Sequence, residues 1–147
     1  MTSAFIGLQN SLMAALATAP ALAGGRIYAN RLRPVSAAST TAMVVRLDKA
    51  EGLQMVLGAV DWVSSYTVEC YARASGNGEP ATAIDQLLSD AWARLCTLDA
   101  TALGAIDITV SPRIDWQYDD VETPLVCAAI QISVQHRTPS DSLQTWS

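Results

Sequence analysis

Four acidic residues stand close together towards the C-terminal end of the chain, Asp115, Asp119, Asp120 and Glu122. Carboxylates so spaced are candidate ligands for a divalent cation, and they are the one feature on which a small hydrolase could be argued. Their spacing departs from the D-x-[DN]-x-[DN]-G pattern of a calcium loop, and no histidine stands near, so a solvated hairpin loop is the plainer reading. Cys70, Cys96 and Cys127 are odd in number and form no C-x-x-C pair. They are expected to be small buried hydrophobes in a reducing compartment, since a zinc site needs four ligands at close spacing. The single histidine, His136, lies at the end of an apparent strand, makes no triad with a serine and an aspartate, and is expected to face solvent there. Phosphate loops, dinucleotide fingerprints and H-E-x-x-H are absent, and the turn Gly76–Pro80 before a helix is a weak anion signal. The expected catalytic, cofactor-binding and metal-ligating residues are therefore none.

Arg26, Arg31 and Arg33 make the most basic stretch, readable either as a solvated strand face or as a binding edge. The whole chain carries 9 basic and 14 acidic residues, a formal charge of -5 that argues against phosphate-dominated nucleic-acid binding. Lys49 is the one lysine, and arginine is the cation favoured in interfacial ion pairs. Half of the 147 residues are hydrophobic and 16% are charged. That balance suits one folded domain with additional surface hidden from water, surface that could meet other subunits.

These residues hang on a long strand. Across Trp62–Arg73, Trp62, Ser64, Tyr66, Val68, Cys70 and Ala72 alternate with Val63, Ser65, Thr67, Glu69, Tyr71 and Arg73. The first set can pack on a core while Glu69 and Arg73 stay wet. At the N-terminus, Phe5, Leu8, Leu12 and Leu16 share one helical face, with Ser3 as N-cap and Pro20 and Gly24-Gly25 as the stop. The segment imitates a secretory signal but lacks a basic start, and Gln9 and Asn10 interrupt its apolar run, so an amphipathic helix of a cytoplasmic protein is expected. Strands are expected over Arg26–Arg33 and Thr40–Asp48. Lys49–Val60 is divided between a helical turn and the first arm of a hairpin, with strand favoured. A helix from Pro80 to Cys96 buries Ile84, Leu87, Leu88, Ala91 and Leu95, with Arg94 near its negative end and Trp92 packed on the sheet. Two long strands, Ala105–Trp116 and Pro124–Arg137, form an extended hairpin, and the tail that follows has no core pattern. The fold class expected is α+β, a mixed or antiparallel curved sheet flanked by an N-terminal and a central helix. Residues 1–138 form one domain, and 139–147 an interaction tail ending in Leu143 and Trp146. No apolar run is long enough to cross a membrane.

This order of elements, with GGRIYANRLRPV feeding TTAMVVRL and DWVSSYTVECYAR leading into PATAIDQLLSDAWARL, resembles the tail-terminator family of long-tailed bacteriophages, the U-like minor tail and tail-completion proteins. The resemblance covers about Ser3 to Arg137 and rests on patterns of strand, turn and helix; the acidic hairpin and the tryptophan-bearing tail depart from it. It implies a non-enzymatic virion protein, assembled in the host cytoplasm, that sits at the head-proximal end of the tail. There it would form a hexameric ring on the last ring of tail-tube protein, end tube polymerisation and meet the head-completion or neck proteins. DNA would pass through its channel without specific binding. On that reading Asp115, Asp119, Asp120 and Glu122 face the lumen or the tube, while Arg26, Arg31, Arg33 and Trp146 lie at subunit interfaces. A head-tail connector or head-closure protein is the nearest alternative, and an enzyme or a monomeric binding module are the other classes.

Overall fold

Period-two alternation of apolar and polar residues builds a curved five-stranded sheet, and two helices cover one of its faces. The structure, a computed structural model, describes residues 2–30, 40–73, 80–119 and 125–145. Helix α1 (Ala4–Ala17) is followed by a short 3-10 turn (Leu22–Gly25) and strand β1 (Ile27–Ala29). Strands β2 (Thr41–Val56) and β3 (Ala59–Arg73) form a hairpin, helix α2 (Pro80–Cys96) follows, and β4 (Asp107–Asp119) and β5 (Leu125–Pro139) complete the chain. Strand order is β1-β2-β3-β5-β4; β1 runs parallel to β2 and the other pairs are antiparallel. This is the α+β class expected, in its mixed-sheet form.

The stretch read as the organising strand is the middle of the sheet, and it begins at Ala59, three residues before Trp62. Its even-numbered residues Tyr66, Val68, Cys70 and Ala72 are fully buried beside Met43 and Val45 of β2 and Ala128, Ile130 and Ile132 of β5. Glu69 departs from expectation. On the face without helices it is only 7% exposed, because Arg46 and Tyr71 reach over the strand and bind its carboxylate.

Helix α1 buries Leu8, Leu12 and Leu16, one residue per turn, against the β1–β2 side of the sheet. Gln9, which interrupts the apolar run, is itself buried and donates to Val45 O at 2.8 Å and to Asn30 Oδ1 at 2.9 Å. The same Asn30 stops β1. Its backbone turns left-handed at φ 54°, a conformation asparagine tolerates, and its side chain accepts from Leu47 N, taking the place a longer β1 would have occupied. Strand β1 is thus three residues long, where Arg26–Arg33 had been expected; residues 31–39 lie outside the described residues.

Helix α2 buries Ile84, Leu87, Leu88, Ala91 and Leu95 as its spacing predicts, and Trp92 packs half-buried at the core's edge. Arg94 does more than complement its own helix dipole. Its guanidinium donates to Leu16 O at 3.0 Å, Thr18 O at 2.8 Å and Pro20 O at 2.9 Å, with a longer contact to Ala15 O, so that it closes the C-terminus of α1.

Residues 49–56 continue β2, so the ambiguous segment is the first arm of the hairpin, closed by Leu57-Gly58. Gly58 has φ +81°, the conformation that the second turn position demands of glycine. Bulges at Asp48 and Leu53 each shift the β2–β3 register by one residue, and pairing continues to Val56 and Ala59 despite the two glycines of the segment. Both later strands run past the expected ends, β4 to Asp119 and β5 to Pro139. In β4, Ser111, Pro112 and Arg113 bulge away from β5 between the Val110–Ile132 and Ile114–Ile130 pairs, which is where a proline without an N–H is tolerated. After β5 the tail turns back: Ser140 N donates to Gly58 O at 3.0 Å, and Leu143 O accepts from Ala4 N at 2.7 Å, satisfying a free amide of the first turn of α1. Among the described residues no helix is long and apolar enough to cross a membrane.

Candidate functional site

The face of the sheet opposite the helices is polar and carries the acidic residues. Strand alternation and register place Arg46 and Asp48 of β2, Thr67, Glu69 and Tyr71 of β3, Cys127 and Gln131 of β5, and Asp115 and Gln117 of β4 on it. A shallow cavity of about 370 Å³ opens there, with Glu69 and Asp115 among its walls. Its floor is a connected network. Arg46 donates to Asp48 at 3.2 Å and to Glu69 at 2.9 Å, Tyr71 Oη donates to the other Glu69 oxygen at 2.8 Å, the Cys127 thiol lies 3.6 Å from it, and Thr67 donates to Asp48.

The electrostatics follow from this arrangement. Burial works against the Arg46 charge, but the hydrogen bond to Asp48 and the field of Glu69 outweigh it and raise its pKa. Burial, reinforced by the neighbouring Glu69 carboxylate, pushes the Cys127 thiol up to about 12, so it stays a thiol at neutral pH. The Tyr71 phenol is raised by burial first, then by the neighbouring Cys127 and by its hydrogen bond to Glu69. Within the network the thiol and the phenol are thus held protonated, and Arg46 is paired with both carboxylates.

Asp115 and Asp119 both sit on this polar face, four strand residues apart, which is roughly 13 Å along the backbone. Asp115 is engaged by Arg113 at 3.2 Å and Asp119 is exposed at the strand end. Asp120 and Glu122 lie outside the described residues, and among the described residues no group of histidine, cysteine and acidic side chains is placed to hold a metal ion. Arg26 is spoken for locally: its guanidinium donates to Thr41 O at 2.7 Å and to Thr41 Oγ1 at 3.0 Å, tying the start of β1 to the start of β2. Arg31, Arg33 and Trp146 lie outside the described residues.

His136 contradicts its expected place at a wet strand end. It is 1% exposed, its Nε2 stands 2.7 Å from Ser64 Oγ, and the Phe5 ring meets it edge-on at 5.1 Å. The strand continues three residues beyond it to Pro139, and α1 and the tail close over that end of the sheet, which is why solvent does not reach it. Of the cysteines, Cys70 and Cys127 are buried as expected, whereas Cys96 is exposed at the last residue of α2.

Several residues with specific partners escaped sequence reasoning. Arg137 grips the buried Asp61 at 2.6 and 3.1 Å, and the hydrogen bonds hold the carboxyl of Asp61 below its ordinary range. That pair and the Ser64–His136 pair are 76 and 72 residues apart in sequence, and only the β3–β5 register reveals them. The Glu69–Tyr71 and Arg46–Asp48 pairs were more accessible, since residues two apart on a strand share a face.

Besides Ile6, Ile106 and Leu143, two groups of large apolar side chains are exposed among the described residues. Leu53, Met55 and Leu57 are exposed at the β2–β3 hairpin end, Met55 by 75%, and Trp116 and Tyr118 are exposed near the end of β4. Because the β2–β3 turn lies beside Pro139 while β4 reaches Asp119 beside Leu125, these two groups occupy opposite ends of the sheet. Comparison with protein-family models gives no match for this chain, and comparison with characterised proteins gives none either.

Proposed function

We propose that the chain is a structural ring subunit of a phage tail, the tail-terminator role implied by its resemblance to that family. The observation that best supports an assembly role is the placement of exposed apolar side chains at opposite ends of one sheet, Leu53, Met55 and Leu57 at one and Trp116 and Tyr118 at the other. Clustered exposed apolar groups mark contact surfaces, and two unlike groups on one molecule suit a head-to-tail contact that closes into a ring. The helix-free face, with Asp48, Glu69, Asp115 and Asp119, would line a channel that repels phosphate, and its protonated thiol and paired charges suit a passive wall.

The test is the mass of the purified protein across a range of concentrations, with and without assembled tail tubes. A hexamer, or a monomer that becomes a ring on tube ends, is the expected result. A monomer indifferent to tubes overturns the terminator role, and a ring that binds head-completion proteins but not tubes assigns the chain to head closure instead.

A further inference from the structure

The junction around His136 joins three parts of the chain that have little else in common. Ser64 of β3 bonds one ring nitrogen, Phe5 of α1 packs edge-on against the ring, and the other nitrogen, Nδ1, is buried with no hydrogen-bond partner. A cavity of about 150 Å³ adjoins it, walled by Ala4 and Gly7 of α1, Gly104 before β4, Arg137, and Thr145 of the tail. The tail is the thinnest of these walls. Over residues 140–145 its side chains are largely exposed, and Leu143 O accepts from Ala4 N of α1.

A proton added to this ring would meet a buried setting without a paired counter-ion. Helix α1 has no charged residue between Ala4 and Ala17, so it offers no counter-ion, and its positive end lies at the cavity. Asp61, the acidic residue of β3 nearest in sequence to Ser64, is already committed to Arg137, an ion pair on the face of the strand away from His136. Of the other acidic groups of the neighbouring segments, Asp99 accepts from Thr101 N, Asp107 of β4 stands opposite Gln135 on the face away from His136, and Asp141 lies in the exposed tail. Burial accordingly lowers the pKa of His136 below 6.5.

We propose that protonation of His136 unlatches the C-terminal tail from the N-terminus of α1, which makes this junction an acid-sensitive switch. Opening the tail hydrates the ring and gives its second N–H a water acceptor while the sheet and α2 stay folded. The inference does not depend on the tail-terminator role.

His136 is the one histidine of the chain, so its imidazole signals in a nuclear magnetic resonance titration are unambiguous. The experiment follows those signals together with hydrogen-exchange protection at the Ala4 and Val68 amides between pH 8 and 4.5. Between the ordinary histidine pKa and the lowered one, the open state holds one more proton, so Ala4 protection falls about tenfold per pH unit. Val68, in the middle of β3, stays protected, and His136→Gln removes the pH dependence at Ala4. Three results overturn the switch: His136 titrating while Ala4 protection stays level, Ala4 and Val68 losing protection together, or the same fall persisting in His136→Gln. If the variant does not fold, the first two remain decisive on the native chain.

Discussion

Arg94 shows how one side chain can replace a structural element. The last carbonyls of a helix need donors, and α1 ends without a basic residue in its own last turn. A guanidinium carries its N–H donors in a rigid fork, and both terminal nitrogens of Arg94 bond carbonyls among residues 15–20. Hydrogen bonds from a charged group are each worth about 1.5–3 kcal/mol. Arg94→Ala is therefore expected to lower unfolding free energy by roughly 2 kcal/mol in a urea titration, with Arg94→Lys recovering only part, since an ammonium cannot span the same carbonyls. Tyr66 is a second case: its phenol, raised in pKa by burial, donates to Phe5 O at 2.7 Å, and Tyr66→Phe is expected to cost about 1 kcal/mol by the same titration. Asp61 gives the protein an acid limit. Its folded pKa is depressed, so its contribution is complete above the unfolded value of 3.8 and is lost as the pH falls through the folded one. Asp61→Asn should flatten the acid limb of the stability profile below that value.

At the scale of elements, the sequence was most legible where periodicity is local. The spacing of α2 and the alternation along β3 place their core residues correctly, because burial of one face is what each pattern encodes. Boundaries that depend on partners were less legible. β1 stops where Asn30 turns left-handed, and β2 runs to Val56 because β3 offers it a pairing edge, neither of which is written in the segment's own composition. The same holds for Glu69 and His136, polar residues buried by side chains and segments distant in sequence. Of the residues expected at interfaces, Arg26 is explained by its bond to Thr41, a contact that spans 15 residues. The hairpin end supplies the element-scale prediction. Leu57 is fully exposed and contributes little to the isolated fold, so Leu57→Asp is expected to leave the unfolding free energy from a urea titration within about 0.5 kcal/mol of native. If the proposed assembly is right, the same substitution abolishes ring formation on tube ends as seen by sedimentation.

The whole molecule is a two-layer domain with one face committed to its helices and the other left to charge. Asp115→Lys with Asp119→Lys tests the channel reading at this scale: the doubly reversed protein should fold and assemble, yet impede DNA passage. Joining and ejection unchanged by that reversal would sink the lumen assignment. The placement of β3 between β2 and β5 carries a further consequence, for the order of events in folding. Its pairing with β2 closes through two turn residues, whereas Ala59 must find Pro139 and Arg73 must find Leu125 across the whole of α2 and β4. Loop-closure entropy makes the first contact fast and the second slow. The β2–β3 hairpin is then the natural nucleus, and α1, tied down by Arg94 and the tail, docks after the barrier. In a chevron analysis, Gly58→Ala, which strains a backbone at φ +81°, should slow refolding, whereas Arg94→Ala should act almost wholly by speeding unfolding.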